Sequence, residues 1–154
     1  MRRLIVVALV AALAASAASA GLALAASSPT KPATVKTRHV PLGTIVVDGK
    51  SHTLYLFEKD KNGKSKCSGT CATAWPPLLT KGKPKASGAT KASKLGTTKR
   101  SDGTTQVTYG GHPLYTFIGD HNTPGKTTGE GSKAFGAEWY VVGTNGKKIE
   151  KEGS

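Results

Sequence analysis

Two cysteines, Cys67 and Cys71, carry the most distinctive chemistry in this sequence of 154 residues. In an oxidising compartment such a close pair is expected to form a disulfide, which contributes about 2 kcal/mol by the loop-entropy argument. The alternative is a redox-active dithiol in an envelope electron-transfer accessory. The sequence contains no Cys-x-x-Cys-His pattern, so covalent haem attachment is excluded.

Two aspartates, Asp60 and Asp120, occupy equivalent positions after aromatic segments, and each is followed two positions later by an asparagine. Oxygen donors at this spacing would suit calcium, but Lys64 and Pro124 stand where the fifth loop position needs another oxygen. We interpret each aspartate as a turn cap that accepts backbone N–H bonds, with ion binding as the alternative. A pair of catalytic carboxylates would require the two side chains to lie within about 5 to 9 Å.

Metal and enzyme sites have little support. His52 and His112 are equivalent, yet there is no His-x-His pair and no methionine after Met1, so soft ligands for a transition metal are scarce. The sequence also lacks a Gly-x-Ser-x-Gly elbow, a His-Glu-x-x-His helix and a phosphate-binding Walker loop. We therefore expect no enzyme activity, no cofactor and no metal.

The N-terminus predicts export. Two arginines precede an uncharged run over residues 4–26, whose apolar part gives way to alanine and serine. This layout predicts a signal peptide over residues 1–25, cleaved after Ala20 or Ala25. An uncleaved membrane anchor is the alternative, and no cysteine near either site could accept a lipid. We expect a secreted or extracytoplasmic protein associated with the cell envelope.

The charge balance predicts polyanionic partners. The chain has 22 Lys and Arg against 9 Asp and Glu, a net charge of +13. Anionic cell-envelope polymers are therefore candidate partners, and a membrane is a partner only through an uncleaved signal segment. Specific nucleic-acid binding is not expected, because no aromatic residue interrupts the lysine-rich residues 81–99. We interpret that stretch as a solvated basic linker.

The chain contains an internal repeat. Residues 52–60 align with residues 112–120 at a shift of 60, and residues 75–83 align with residues 139–147 at a shift of 64. Self-similarity of this kind is typical of tandem structural repeats, each too small to bury a core alone.

Turn pairs such as Asp48-Gly49 follow short β-branched segments and predict an all-β, mainly antiparallel fold. We expect two tandem β-meander repeats that share one core about a pseudo-twofold axis, with long loops and at most one short helical turn near Cys71. After the signal peptide, the predicted organisation begins with a disordered linker over residues 26–41, followed by a single domain over residues 42–149. The domain is built of two repeats, 43–85 and 103–149, joined by a basic linker, and a tail spans residues 150–154.

Alternation in the first motif strand places Leu54 and Leu56 on one face and Tyr55 and Phe57 on the other. A strand that is apolar on both faces is expected to be central. The aromatic residues are expected to form the core, although a ligand-binding face is the alternative. The segment proposed as ligand-facing consists of Trp75, Pro76 and Pro77, with Trp139 in the second repeat.

Two copies of one pattern carry a family resemblance. Tyr55-x-Phe57-x-x-Asp60 and Tyr115-x-Phe117-x-x-Asp120 resemble the secreted-repeat or predicted-lipoprotein family named for its Tyr-x-(Phe/Trp/Tyr)-x-x-Asp motif. The Cys-x-x-x-Cys segment followed by Trp-Pro-Pro is similar to the same family. The second copy departs from the pattern, because it lacks both cysteines and both prolines. The family has no assigned activity, so the expected function is a non-enzymatic envelope or extracellular module with a binding or structural role.

Overall fold

The computed structural model describes residues 28–150, so the predicted signal peptide lies outside the described residues. The described chain is built mainly of short β-strands. The strands are β1 Thr34–Val40, β2 Gly43–Asp48, β3 Tyr55–Phe57, β4 Lys85–Ala86, β5 Leu95–Lys99, β6 Thr105–Tyr109, β7 His112–Pro113, β8 Ser132–Ala134 and β9 Ala137–Val141. One short helix, α1, spans Thr70–Ala74, and 3-10 turns span Ala92–Lys94 and Ile118–Asp120. Within this range no helix is long and apolar enough to cross a membrane.

The strands form three small sheets, with the orders β2-β1-β4, β3-β9-β8 and β5-β6-β7. All pairings in these sheets are antiparallel except the short β1·β4 contact. The predicted all-β class with one helical turn is therefore confirmed.

The two repeats meet at their motif tyrosines. The Tyr55 N–H donates to the Tyr115 carbonyl at 2.8 Å, and the Tyr115 N–H donates to the Tyr55 carbonyl at 3.0 Å. Such a reciprocal pair is the hydrogen-bonded pair of an antiparallel ladder. Because the partners are equivalent residues of the two repeats, the pseudo-twofold axis passes between them.

Each repeat completes the sheet of the other. In the first repeat, the Val46 N–H donates to the Val142 carbonyl at 2.9 Å, and the Val142 N–H donates to the Leu54 carbonyl at 3.1 Å. Val142 belongs to the second repeat, so the strand that follows Trp139 is inserted beside β2 and β3 of the first.

The reverse exchange is also present. The Val107 N–H donates to the Leu78 carbonyl, and the Leu78 N–H donates to the Leu114 carbonyl, both at 2.8 Å. Leu78 follows Trp75 in the first repeat, whereas Val107 and Leu114 belong to the second. Neither repeat alone contains the three strand segments that its hairpin needs, which is why the two share one fold.

The core lies on both faces of β3. One buried cluster contains both motif tyrosines and both tryptophans, and the other contains Leu54, Leu56 and Leu114. The alternation expected for this strand is therefore observed, and the Tyr115 segment on one side and β9 on the other make the strand central.

The predicted disordered linker over residues 26–41 is wrong for its second half. Residues 34–40 form β1, which pairs with β2 from Val35 opposite Asp48 to Val40 opposite Gly43. Val35 is fully buried. Lys36, Arg38 and His39 concealed a strand that is anchored by two buried valines, Val35 in the second core cluster and Val40 in the aromatic cluster.

The basic segment between the repeats is also ordered, contrary to the expectation of an open linker. It contains β4, a 3-10 turn and β5, and β5 pairs with β6 over its whole length. Thr98 is buried and Leu95 packs against the second core cluster, so a few small and apolar residues anchor this strand while its lysines remain outside.

Candidate functional site

The motif tyrosines form hydrogen bonds across the repeat boundary. Tyr55 Oη donates to Asp120 Oδ2 at 2.7 Å, and Tyr115 Oη donates to Asp60 Oδ2 at 2.8 Å. Each tyrosine thus binds the aspartate of the other copy. We call these two contacts the cross-repeat Tyr–Asp pairs.

The second oxygen of each aspartate closes a loop. Asp60 Oδ1 accepts the Lys66 N–H at 2.7 Å, and Asp120 Oδ1 accepts the Thr128 N–H at 2.9 Å and the Thr128 hydroxyl at 2.6 Å. The expected backbone N–H acceptor role is observed, but the donors lie 6 and 8 residues downstream instead of in the adjacent turn. Both carboxylates are therefore engaged by the protein itself.

Burial controls the protonation of these groups. Desolvation, reinforced by the nearby carboxylate charge, raises the pKa of Tyr55 and of Tyr115 far above the ordinary value, so both remain neutral donors. Desolvation also raises the pKa of Asp60, while the Lys66 N–H and the Tyr115 hydroxyl oppose the rise by stabilising the ionised form. The interior thus holds phenols beside carboxylates.

Four motif rings stack face to face through the core. The Phe57 and Trp139 ring centroids lie 4.0 Å apart, those of Trp139 and Trp75 also 4.0 Å, and those of Trp75 and Phe117 4.1 Å. The interplanar angles are 9°, 5° and 22°. We call this row the aromatic stack. The two central indoles come from different repeats, so the stack also crosses the pseudo-twofold axis.

The tyrosines contact the stack edge-on. Tyr55 meets Trp75 with centroids 5.3 Å apart, and Tyr115 meets Trp139 at 5.1 Å. Edge contacts of this kind are favourable for aromatic quadrupoles. Gly129 permits the packing, because a Cβ there would lie 2.7 Å from a Trp75 ring carbon and 3.0 Å from a Tyr55 ring carbon.

The alternative in which Trp75 and Trp139 face a ligand does not fit their burial. Their exposed fractions are 1% and 0%, because each indole lies at the start of an exchanged strand and is covered by both repeats. Pro76 and Pro77, in contrast, are half-buried and line a surface cavity of about 600 Å³ that also contacts Leu79. These prolines remain available to a ligand.

Cys67 and Cys71 form a disulfide with Cα atoms 5.2 Å apart. Both residues are buried, and they pack with α1 against the aromatic cluster. Thiol exchange needs an accessible sulfur, so this environment supports a structural bond instead of a redox centre.

Arg100 is a buried residue that the sequence interpretation missed. Its exposed fraction is 7%, and its guanidinium donates to Ser65 Oγ at 2.9 Å, to Gln106 Oε1 at 2.8 Å and to the Cys67 carbonyl at 2.7 Å. The Tyr115 hydroxyl also contacts Ser65 Oγ, at 2.8 Å. Arg100 therefore ties the inter-repeat segment to the disulfide loop. A single arginine at the end of a run of lysines was the available signal, since arginine is preferred where several bonds must be made in a fixed plane.

The two equivalent histidines have different surroundings. His52 Nδ1 lies 2.9 Å from Asp48 Oδ2 and borders a cavity of about 710 Å³ together with Lys31 and Lys50. His112 lies in β7, where burial lowers its pKa. Within residues 28–150 no group of three or more His, Cys, Asp and Glu side chains is arranged to hold a metal.

Four exposed lysines lie on or beside β4 and β5. Lys81 and Lys99 border one cavity, Lys83 borders a second with β5, and Lys85 lies on β4; all four side chains are exposed. We call these four residues the lysine face. In the described part of the chain, none of them forms a salt bridge with a carboxylate.

The fold and its core define a β-protein made of two interlocked repeats. A family model described as a secreted repeat of unknown function matches residues 36–79 and 96–143, once in each repeat. The chain belongs to this family, which confirms the resemblance inferred from the motif and agrees with an extracytoplasmic location. No curated protein and no solved structure matches the chain.

Proposed function

We propose that this protein is a non-enzymatic module of the cell envelope that binds anionic envelope polymers through its lysine face. The observation that supports this proposal is an ordered group of exposed lysines without carboxylate partners in the described chain. A surface of one charge attracts polyanions and releases their counterions on binding.

The surroundings of the lysine face favour binding of a phosphate-rich chain. Asp102 borders the same cavity as Lys81 and Lys99, but its carboxylate lies 3.6 Å from Arg100 Nε. The Asp102 carboxylate is thus paired with the arginine and does not neutralise the lysine face. Lys99 is also held in place by a 2.7 Å bond from its ammonium group to Thr105 Oγ1, which reduces the entropy lost on binding.

The interlocked core gives this surface a fixed shape. β4 pairs with β1 and β5 pairs with β6, so the lysines on the two strands keep a defined spacing. A disordered linker of the same composition would bind less selectively because it would lose conformational freedom on binding.

The proposal excludes catalysis, and the contacts of the motif support this part. Asp60 and Asp120 accept hydrogen bonds from the opposite tyrosines and from their own loops. They therefore act within the fold. The alternative function, a redox accessory based on Cys67 and Cys71, has less support because both cysteines are buried.

Binding to purified poly(glycerol phosphate), measured by calorimetry over a series of salt concentrations, tests the proposal. Changing Lys81, Lys83 and Lys99 together to Gln should weaken binding and reduce the slope of log K against log salt by about 2, at about 0.7 per lost contact. A control variant changes Lys61, Lys64 and Lys126 to Gln, which alters the net charge equally in other exposed loops. The length of the polymer should be the same before and after incubation with the wild-type protein, because the proposal excludes catalysis.

Equal weakening in both triple variants would show that only net charge matters and would contradict the lysine face. Absence of binding at low salt would contradict the proposal as a whole. Shortening of the polymer by the wild-type protein would contradict the non-enzymatic part.

A further inference from the structure

The buried motif contains four rings that can lose an electron, all in contact. Trp75 and Trp139 stack at 4.0 Å, Tyr55 lies 5.3 Å from Trp75, and Tyr115 lies 5.1 Å from Trp139. The rate of electron transfer between two rings falls steeply with their separation. A ring that has lost an electron therefore readily takes one from a ring in contact with it. The four rings therefore form one redox unit that spans both repeats.

A tyrosine is oxidised at moderate potential only if its proton leaves with the electron. The base that accepts the proton must lie within hydrogen-bond reach of the phenol. Asp120 Oδ2 lies 2.7 Å from Tyr55 Oη, and Asp60 Oδ2 lies 2.8 Å from Tyr115 Oη. Both tyrosines in this unit thus have a carboxylate acceptor in place.

A purely structural core would not require this chemistry. Phenylalanine would fill the space of each tyrosine, and burying a carboxylate costs free energy that hydrogen bonds only offset. Asp120 is 4% exposed, and its two carboxyl oxygens accept hydrogen bonds from Tyr55 and Thr128 in the interior. The protein retains two buried phenol–carboxylate pairs although an apolar core would be simpler.

We propose that Tyr55, Tyr115 and the two central tryptophans form a site of reversible one-electron oxidation, with Asp120 and Asp60 as its proton acceptors. A one-electron oxidant outside the cell, such as an organic radical or an oxidised metal complex, takes one electron from a tyrosine. The O–H bond breaks, the proton moves to the paired aspartate, and a neutral tyrosyl radical remains. A one-electron reductant returns the electron, and the aspartate returns the proton. This activity does not depend on polymer binding.

Access to the site follows from the stack. Phe117 is half-buried and stacks on Trp75 with centroids 4.1 Å apart, so a single ring separates the indole from the surface. An oxidant that collides near Phe117 can take an electron across this ring without entering the core.

Photo-oxidised ruthenium tris(bipyridine) tests the proposal on the whole mature protein, with transient absorption and electron paramagnetic resonance as readouts. The wild type should form a neutral tyrosyl radical, and the radical should form more slowly in D₂O because the proton moves with the electron. Asp60→Asn combined with Asp120→Asn should lose the tyrosyl signal and show a tryptophan radical instead, since asparagine accepts a hydrogen bond but not the proton. Tyr140→Phe is the matched control, because Tyr140 packs against the second core cluster, donates to Glu138 and is not part of the aromatic stack, so its removal should leave the signal unchanged.

Loss of the tyrosyl signal in Tyr140→Phe would assign the radical to the surface and overturn the proposal. An unchanged tyrosyl yield in the double asparagine variant would also overturn it. If circular dichroism shows that the double variant is unfolded, the wild type alone decides: slower formation in D₂O supports the proposal, and equal rates in the two solvents overturn it.

Discussion

Removing one hydroxyl from the core, by Tyr55→Phe, should destabilise the whole protein. The Tyr55 hydroxyl donates to Asp120 Oδ2 at 2.7 Å and accepts the Gly129 N–H at 3.3 Å. Asp120 keeps its Thr128 contacts at the other oxygen, so the variant leaves one carboxylate oxygen and one backbone N–H without these partners. A lost hydrogen bond to a charged group costs about 1.5 to 3 kcal/mol, and we expect about 2 to 3 kcal/mol here because the site is nearly dry.

The matching variant, Tyr115→Phe, should cost less. Tyr115 donates to Asp60 at 2.8 Å and contacts Ser65 Oγ at 2.8 Å, but Asp60 and Ser65 are only half-buried, so water can replace part of both contacts. We expect about 1 to 2 kcal/mol. The two variants differ by the same single oxygen in equivalent positions, so each serves as the control for the other.

Urea unfolding, followed by tryptophan fluorescence, measures both effects. With an m-value of about 2 kcal/mol/M, Tyr55→Phe should lower the midpoint by about 1 M in a single transition with unchanged slope. A shift below about 0.2 M would show that the cross-repeat pair contributes little to stability. Two resolved transitions in the wild type would refute the reasoning more deeply, because interlocked repeats must unfold together.

Three further predictions follow from the same contacts. Phe57→Ala should lower the free energy of unfolding by about 3 to 5 kcal/mol and Phe117→Ala by clearly less, because Phe57 is 1% exposed whereas Phe117 is half-buried. Urea unfolding measures both values, and equal losses would contradict this difference in burial. Circular dichroism should show that fragments 28–94 and 95–150 are each unfolded alone and gain β-structure when mixed, since each supplies the strand that the other lacks. A fragment that folds independently would contradict strand exchange. Burial raises the pKa of Asp60 above its usual 3.8, so the protonated form favours folding and the wild type should lose stability relative to Asp60→Asn as pH rises above about 4; a stability difference independent of pH, measured by urea unfolding, would contradict this assignment.

The sequence predicted those features that depend on local pattern. The alternation through Leu54, Tyr55, Leu56 and Phe57 indicated a strand buried on both faces, and both faces are buried. The repeat was visible because several equivalent residues are identical at shifts of 60 and 64. These signals are local, and each depends on a period of two along a strand or on direct self-comparison.

Partner choice between strands could not be predicted in the same way. A tandem repeat is equally compatible with two separate meanders and with two that exchange a strand, because the apolar pattern is identical in both arrangements. The bonds from Val142 to Leu54 and from Leu78 to Leu114 select the exchanged arrangement. Trp75 and Trp139 are buried between the two repeats in this arrangement, which the alternative of ligand-facing tryptophans did not anticipate.

Charged residues concealed two ordered elements. Lys36, Arg38 and His39 made β1 resemble a solvated linker, and the lysines near Arg100 did the same for β5. Composition averages the two faces of a strand, whereas folding needs only one apolar face. Arg100 is buried because it finds three acceptors at once, which no count of charges can indicate.

The spacing of the motif has a direct physical explanation in this structure. The tyrosine and the phenylalanine are two residues apart on one strand, so they face the same side, where the phenylalanine stacks on an indole and the tyrosine meets another edge-on. The aspartate follows three residues later, where the strand has ended and the chain turns, so its carboxylate is free to meet the tyrosine of the opposite copy. Every position of the motif therefore contributes to contacts between the copies, and a change in one copy alters the environment of the other. Specificity for a ligand must then come from residues outside the motif, such as the lysine face or the Pro76–Pro77 cavity, which differ between the two repeats.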